Sequence, residues 1–216
     1  MRKFRLLILT VGILGLVPSA RAQQLSHEQA VAALKDAANI EARRQGAEWL
    51  GQTGLMTDVP ALVEALRDPD DLVRSLAENS LWQVWSRSGD PGVDSLFQLG
   101  LEQMNGRDAE AAVETFSQII QRMPDFAEGW NKRATLYYLV GEYQKSLADC
   151  EEVIRRNPVH FGALSGFGLN YLQLQKPEQA LLYFQRALDV NPNLAQIQAA
   201  VESLKELLSR QRRDSI

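Results

Sequence analysis

Residues 127–160 read AEGWNKRATLYYLVGEYQKSLADCEEVIRRNPVH, and the chain repeats this pattern on either side at an interval of 34 residues. The flanking blocks are VDSLFQLGLEQMNGRDAEAAVETFSQIIQRMPDF at 93–126 and FGALSGFGLNYLQLQKPEQALLYFQRALDVNPNL at 161–194. Each opens with helical spacing, breaks near its middle, resumes, and closes around Pro124, Pro158 or Pro192. Self-similarity at this period predicts two antiparallel helices per unit, which bury their apolar faces only by stacking on neighbours.

The register is consistent. Place eight of the three blocks holds Gly100, Ala134 and Gly168, and place twenty holds Ala112, Ser146 and Ala180. Place twenty-four holds Phe116, Cys150 and Phe184, so large groups face small ones across each helix pair, as a close-packed core requires. Gly106, Gly141 and the Lys176-Pro177 pair are read as the breaks between paired helices. The prolines follow Met123, Asn157 and Asn191, where a missing N–H and a restricted preceding residue stop the second helix.

This pattern resembles the tetratricopeptide repeat family over 93–194, as three units at 93–126, 127–160 and 161–194. Arg133 stands where the family usually has Leu, and Gln103 where it usually has Tyr. The resemblance implies an all-α, right-handed α–α solenoid with a concave face lined by the first helix of each unit. Carried over place by place, that face offers Phe97, Leu101 and Met104, then Asn131, Thr135, Tyr138 and Leu139, then Leu169 and Leu172. These are the expected protein-binding residues, and an apolar stripe at helical spacing is equally well read as core. The Lys and Asn clamp with which some relatives hold a peptide's terminal carboxylate has no counterpart, since Phe97, Leu101, Gly162 and Gly166 occupy its places.

At the N-terminus, Met1-Arg2-Lys3-Phe4-Arg5 is basic, Leu6 to Val17 is apolar, and Ala20-Arg21-Ala22 follows Pro18. That order predicts a signal peptide over 1–22, cleaved after Ala22, and a periplasmic protein; an uncleaved anchor is the rival reading. Residues 1–22 carry four cations and no acid, so their removal takes the formal net charge from −4 to −8. An acidic chain argues against nucleic acid as partner. After signal removal no membrane span is expected. Cys150, the only cysteine, forms no disulfide within the chain and is read as a buried, inert thiol.

Residues 23–89 differ from the array. Val59 to Asp68 reads as a short helix, Asp68-Pro69-Asp70 as a turn, and Asp71 to Leu81 as a second helix, a succession that resembles a HEAT-like repeat. Ala42-Arg43, Gly46 and Leu50 precede Val73-Arg74, Ala77 and Leu81 by 31 residues, which suggests an earlier copy; a plain packing of three helices is the alternative. Ser26 with Gln29 forms a capping-box pattern. Trp82 and Trp85 are expected to pack across the seam at 86–92, giving one continuous solenoid. At the other end, 195–210 reads as a capping helix and 211–216 as a fraying tail.

No catalytic constellation is visible. His27 and His160 lie far apart with no metal-ligand spacing, and there is no phosphate-binding glycine loop or nucleophile elbow. The expectation is therefore a non-enzymatic exported scaffold without metal or cofactor, binding a protein or peptide through the concave groove. The alternative is a self-associating structural subunit of an envelope assembly.

Overall fold

A computed structural model of the chain describes residues 25–214, which form eleven α-helices and, among the described residues, no strand. The expected signal peptide lies outside the described residues. Four helices come first: α1 (His27–Leu34), α2 (Ile40–Thr53), α3 (Val59–Ala65) and α4 (Asp71–Trp85). The array follows as α5 (Pro91–Asn105) with α6 (Ala109–Arg122), α7 (Ala127–Leu139) with α8 (Tyr143–Arg156), and α9 (Phe161–Gln173) with α10 (Pro177–Val190). The last helix, α11 (Ala195–Asp214), covers the third unit with Val201 and Leu204 against Ala180 and Phe184, and it stays helical past Gln211, where fraying was expected. The molecule is a solenoid of helix hairpins.

Local chemistry fixes the helix ends. Ser26 and Gln29 form the reciprocal capping box, Oγ accepting from the Gln29 N–H at 3.2 Å and Oε1 from the Ser26 N–H at 2.8 Å. Asp70, Asp90 and Asp108 cap α4, α5 and α6 by accepting first-turn N–H bonds. Pro91 and Pro177 occupy first-turn positions, where no N–H is needed. The turn between paired helices puts one residue per unit in the left-handed region, always at place fifteen: Arg107 (φ 60°), Gly141 (φ 82°) and Gln175 (φ 56°). This corrects the sequence reading in two units, because Gly106 is ordinary and Gln175, not the Lys176-Pro177 pair, carries the reversal.

Small-against-large packing holds within the units. A Cβ on Gly168 would stand 2.3 Å from the Phe184 ring, and one on Gly100 2.6 Å from Phe116. The two departures from the family pattern are explained by place twenty-three of the facing helix. Arg133 forms a bidentate pair with Asp149 at 2.8 Å to each oxygen and also reaches Ser117 Oγ at 3.0 Å. Gln103 Oε1 accepts from Thr115 Oγ1 at 2.7 Å. In the third unit the same places hold stacked rings, Tyr183 lying 4.3 Å from Phe167 and 5.5 Å from Tyr171.

The first four helices make two hairpins, with α2 packed on α4. Arg43 is buried, paired with Asp68 at 2.7 Å, and donates to the carbonyls of Asp36 and Ala37 in the loop before its helix. Arg74, 31 residues on, donates likewise to the carbonyls of Asp68 and Pro69. The echo read in the sequence thus has a structural content: each arginine ties down the turn that leads into its own helix.

These hairpins do not simply precede the array. Trp82 and Trp85 pack against His160, which closes the second unit, and Phe161, which opens α9 and the third. The reason lies in the seam, where Gly89 takes φ 81° and Asp94 fastens the Ser88 N–H and hydroxyl, redirecting the chain. Polar bonds extend the contact along the end of α10. Arg67 donates to the carbonyls of Asp189 and Val190, Asn193 to that of Leu66, and Asn191 to Glu78.

Two substitutions should shift stability in opposite directions. Gly168→Ala drives a methyl into Phe184 and should cost about 1–3 kcal/mol. Gln175→Gly relieves a left-handed non-glycine residue and should gain about 1 kcal/mol. Thermal midpoints checked by circular dichroism should fall in the first variant and rise in the second.

Candidate functional site

Between α7 and α9 lies a cleft of about 130 Å³, walled by Asn131, Thr135 and Tyr138 on one side and Ser165 and Leu169 on the other. Ala134, Ser146, Cys150, Gly166 and Asn170 form its deeper lining. A short network orders these residues: Ser146 Oγ donates to the Ala134 carbonyl and accepts from Asn170 Nδ2, each at 2.8 Å. Asn170 Nδ2 also donates to the Gly166 carbonyl at 2.8 Å. Burial pushes the Cys150 thiol up to about 12, which leaves it protonated and unreactive as a nucleophile.

The residues expected on the concave face divide into two groups. Thr135, Leu139 and Leu169 are exposed, Leu139 most of all at 68 %, and Tyr138 and Leu172 are half-buried. Phe97 is not available to a partner: it is 1 % exposed and stands edge-on to Phe116 and Phe126. Leu101 and Met104 are half-buried against that same cluster. Asn131 is 8 % exposed and donates to Glu128 Oε1. The usable surface therefore belongs to the second and third units, and the first unit's share of the stripe is largely core.

One end of this surface is closed by the first hairpins. The Trp82 indole lies on Gly162, so close that a Cβ there would meet it at 2.5 Å. Gly162 is a place at which the carboxylate clamp would need a cation, so an aromatic side chain of the chain itself sits over it. Beneath Trp82 and Trp85 is a buried polar group: Glu128 Oε2 is 2.9 Å from His160 Nε2, and Glu128 Oε1 is 2.9 Å from Lys132 Nζ. His160 Nδ1 accepts from the Ala163 N–H at 3.1 Å, which puts the ring proton on Nε2, facing the carboxylate. Trp85 stacks on the imidazole with ring centroids 4.4 Å apart. Burial alone would raise the Glu128 pKa, but the His160 hydrogen bond and the Lys132 charge outweigh it and hold the carboxyl below its usual range.

Sequence reasoning expected Trp82 at the seam but missed its place over Gly162, and it overlooked Asn170. Trp82 is far in sequence from Gly162, and nothing local links them. Asn170 sits at a place that holds Glu102 and Leu136 in the other units, so no repeat pattern marks it. Among the described residues no cluster of three His, Cys, Asp or Glu is positioned to hold a metal, and no helix is long and apolar enough to cross a membrane.

Comparison with known proteins bears on this architecture. The family model described as "Tetratricopeptide repeat" matches residues 127–160 and 163–194. A TPR repeat-containing protein of Rhizobium etli is 34% identical over 146 residues, 68% of this chain and 71% of that protein. Anaphase-promoting complex subunit 3 of Schizosaccharomyces pombe is 32% identical over 87 residues, 40% of this chain but 13% of that protein. Among solved structures, the Sgt2 TPR domain of Aspergillus fumigatus superposes with a TM-score of 0.54 at 20% identity, covering 57% of this chain and 83% of the domain. The first TPR of Spaghetti (RPAP3), solved with an HSP90 peptide, gives 0.53 at 20% identity, covering 54% and 93%. At such identities the structural likeness is one of fold.

The buried carboxylate supplies a pH signature. A depressed folded pKa contributes stability that is present above the ordinary value of 4.5 and is lost as pH falls through the folded value. Glu128→Gln should therefore cost about 1.5–3 kcal/mol at pH 7. The gap between wild-type and variant thermal midpoints should narrow as pH is lowered from neutrality toward 3, which a pH series of melts checks.

Proposed function

The chain belongs to the tetratricopeptide repeat family, and we propose that it is a non-enzymatic, exported adaptor that captures a segment of another protein in the cleft between α7 and α9. The observation that carries this is the contrast within one surface. Thr135, Leu139 and Leu169 stay exposed beside a cleft whose polar floor is ordered by the protein's own hydrogen bonds. Such a surface suits an extended or helical segment with apolar side chains. Relatives of the same fold support the class of ligand: Spaghetti (RPAP3) is solved with an HSP90 peptide and the TPR2B domain of yeast Sti1 with an Hsp70 peptide. Trp82 covers Gly162, a place where a carboxylate clamp would carry a cation, which counts against an acidic tail as the ligand.

Export is supported by the basic start, the apolar run Leu6 to Val17 and Ala20-Arg21-Ala22, and in this reading the adaptor works in a periplasm. The first hairpins are assigned a HEAT-like origin, supported by the matched roles of Arg43 and Arg74. Their task in this reading is to brace the array and bound its groove. Self-association is the second reading; it has Leu99, Leu182 and Leu207 in its favour, each 44–53 % exposed.

Charge in the groove should abolish capture. Tyr138→Glu combined with Leu169→Glu is expected to eliminate partner recovery from an envelope extract, with unchanged helicity by circular dichroism. Undiminished recovery would remove the groove from consideration. Sedimentation at rising concentration should show a monomer, whereas concentration-dependent growth would favour the self-associating subunit.

A further inference from the structure

Asn170 holds an unusual position in the cleft. It is 0 % exposed, and its Oδ1 is buried with no hydrogen-bond partner. Exchanging the amide's oxygen and nitrogen does not resolve this. The position now held by Nδ2 lies 2.8 Å from the Gly166 carbonyl, which demands a donor there. Ser146 Oγ, the other neighbour, has already given its proton to the Ala134 carbonyl. An unmet buried acceptor is unfavourable, so a ligand that supplies the missing donor recovers free energy.

The hydroxyls around Asn170 point to the same chemistry. Thr135 Oγ1 donates to the Asn131 carbonyl at 2.9 Å, and Ser165 Oγ to the Phe161 carbonyl at 2.8 Å. With their protons committed inside their own helices, both present only lone pairs. With Asn170 they put three acceptors among the lining residues, beside the Tyr138 hydroxyl and the Cys150 thiol. None of the residues lining the cleft carries a charge, so a buried cation would lose hydration without a counter-charge. A volume of about 130 Å³ is room for a short polar side chain and not for an aromatic ring with its backbone.

We infer that the α7–α9 cleft is a subsite for a primary carboxamide, the side chain of an Asn or Gln in the captured segment, with Asn170 Oδ1 accepting one amide N–H. Thr135 and Ser165 flank that position, and the carboxamide oxygen faces the open mouth of the cleft. This deepens the adaptor reading and rests on it: the groove selects by a neutral donor where clamp-bearing relatives select by negative charge.

The test uses side-chain mimics and the full chain labelled with nitrogen-15. Propionamide is titrated against butanone, which has similar shape but no N–H, and against n-propylammonium, which brings a charge. Propionamide alone should move the amide signals of Gly162, Gly166 and Leu169. Asn170→Leu should weaken that response about tenfold, the loss of one good hydrogen bond. Ser165→Ala, which leaves the Asn170 network intact, should weaken it less and serves if the leucine variant fails to fold. An equal response to butanone, a stronger one to n-propylammonium, no response to any probe, or an unchanged response in both variants overturns the assignment. If partner capture still fails in the Tyr138→Glu, Leu169→Glu protein while propionamide is silent, the subsite is wrong and the groove survives. If capture is also undiminished there, both are wrong.

Discussion

The packing of Trp82 and Trp85 onto His160 and Phe161 holds the two parts of the chain in one arrangement. His160 is committed on every side: Nδ1 caps α9, Nε2 faces Glu128, and its ring face carries Trp85. A ring fixed by two hydrogen bonds offers a rigid plane for stacking, and Trp82 meets the same ring edge-on at 5.4 Å. Because His160 directly precedes Phe161, the first residue of α9, this cluster sets where the third unit begins relative to α4. Trp82 then falls on Gly162, and the end of the groove is closed by the same contact that joins the hairpins to the array. Breaking the Glu128–His160 pair would leave a buried carboxylate short of a partner, a loss much larger than the net worth of the pair itself.

Within the array, a single geometric problem is solved with three chemistries. Place twenty-three meets place eleven in the first unit, place seven in the second and both in the third. These places hold a side-chain hydrogen bond in the first (Gln103 and Thr115), a bidentate ion pair in the second (Arg133 and Asp149) and stacked rings in the third (Phe167, Tyr171 and Tyr183). Swapping one member alone would strand its partner: Arg133→Leu, toward the family's usual residue, leaves Asp149 buried without its cation. The units therefore share a backbone plan while their interiors are not interchangeable. A separate difference, at place ten, sets the cleft between α7 and α9 apart, since only the third unit has an asparagine there.

The sequence makes the array legible because its signals are local and repeated: proline spacing, small residues facing large ones, and capping carboxylates all act within one unit. The left-handed place fifteen was legible only in the middle unit, where glycine marks it; Arg107 and Gln175 bear the same backbone without the usual residue. The groove was half legible. Thr135, Tyr138, Leu139 and Leu169 follow from the repeat, but the same spacing names Phe97, which the first unit consumes as core. Trp82 over Gly162 and the unpaired Asn170 Oδ1 arise from contacts between distant or single-copy residues, which no periodicity reports.

The first hairpins lie on the array and bound its groove through Trp82. A nuclear Overhauser measurement between the Trp82 indole protons and the α-protons of Gly162 tests this most directly, since the ring and the glycine are in van der Waals contact. The expected result is a strong cross-peak together with an upfield ring-current shift of the glycine protons. Cross-peaks from Trp82 confined to residues of α2 and α4, with glycine protons at ordinary shifts, would mean that the hairpins stand apart from the array and that the groove is open at both ends.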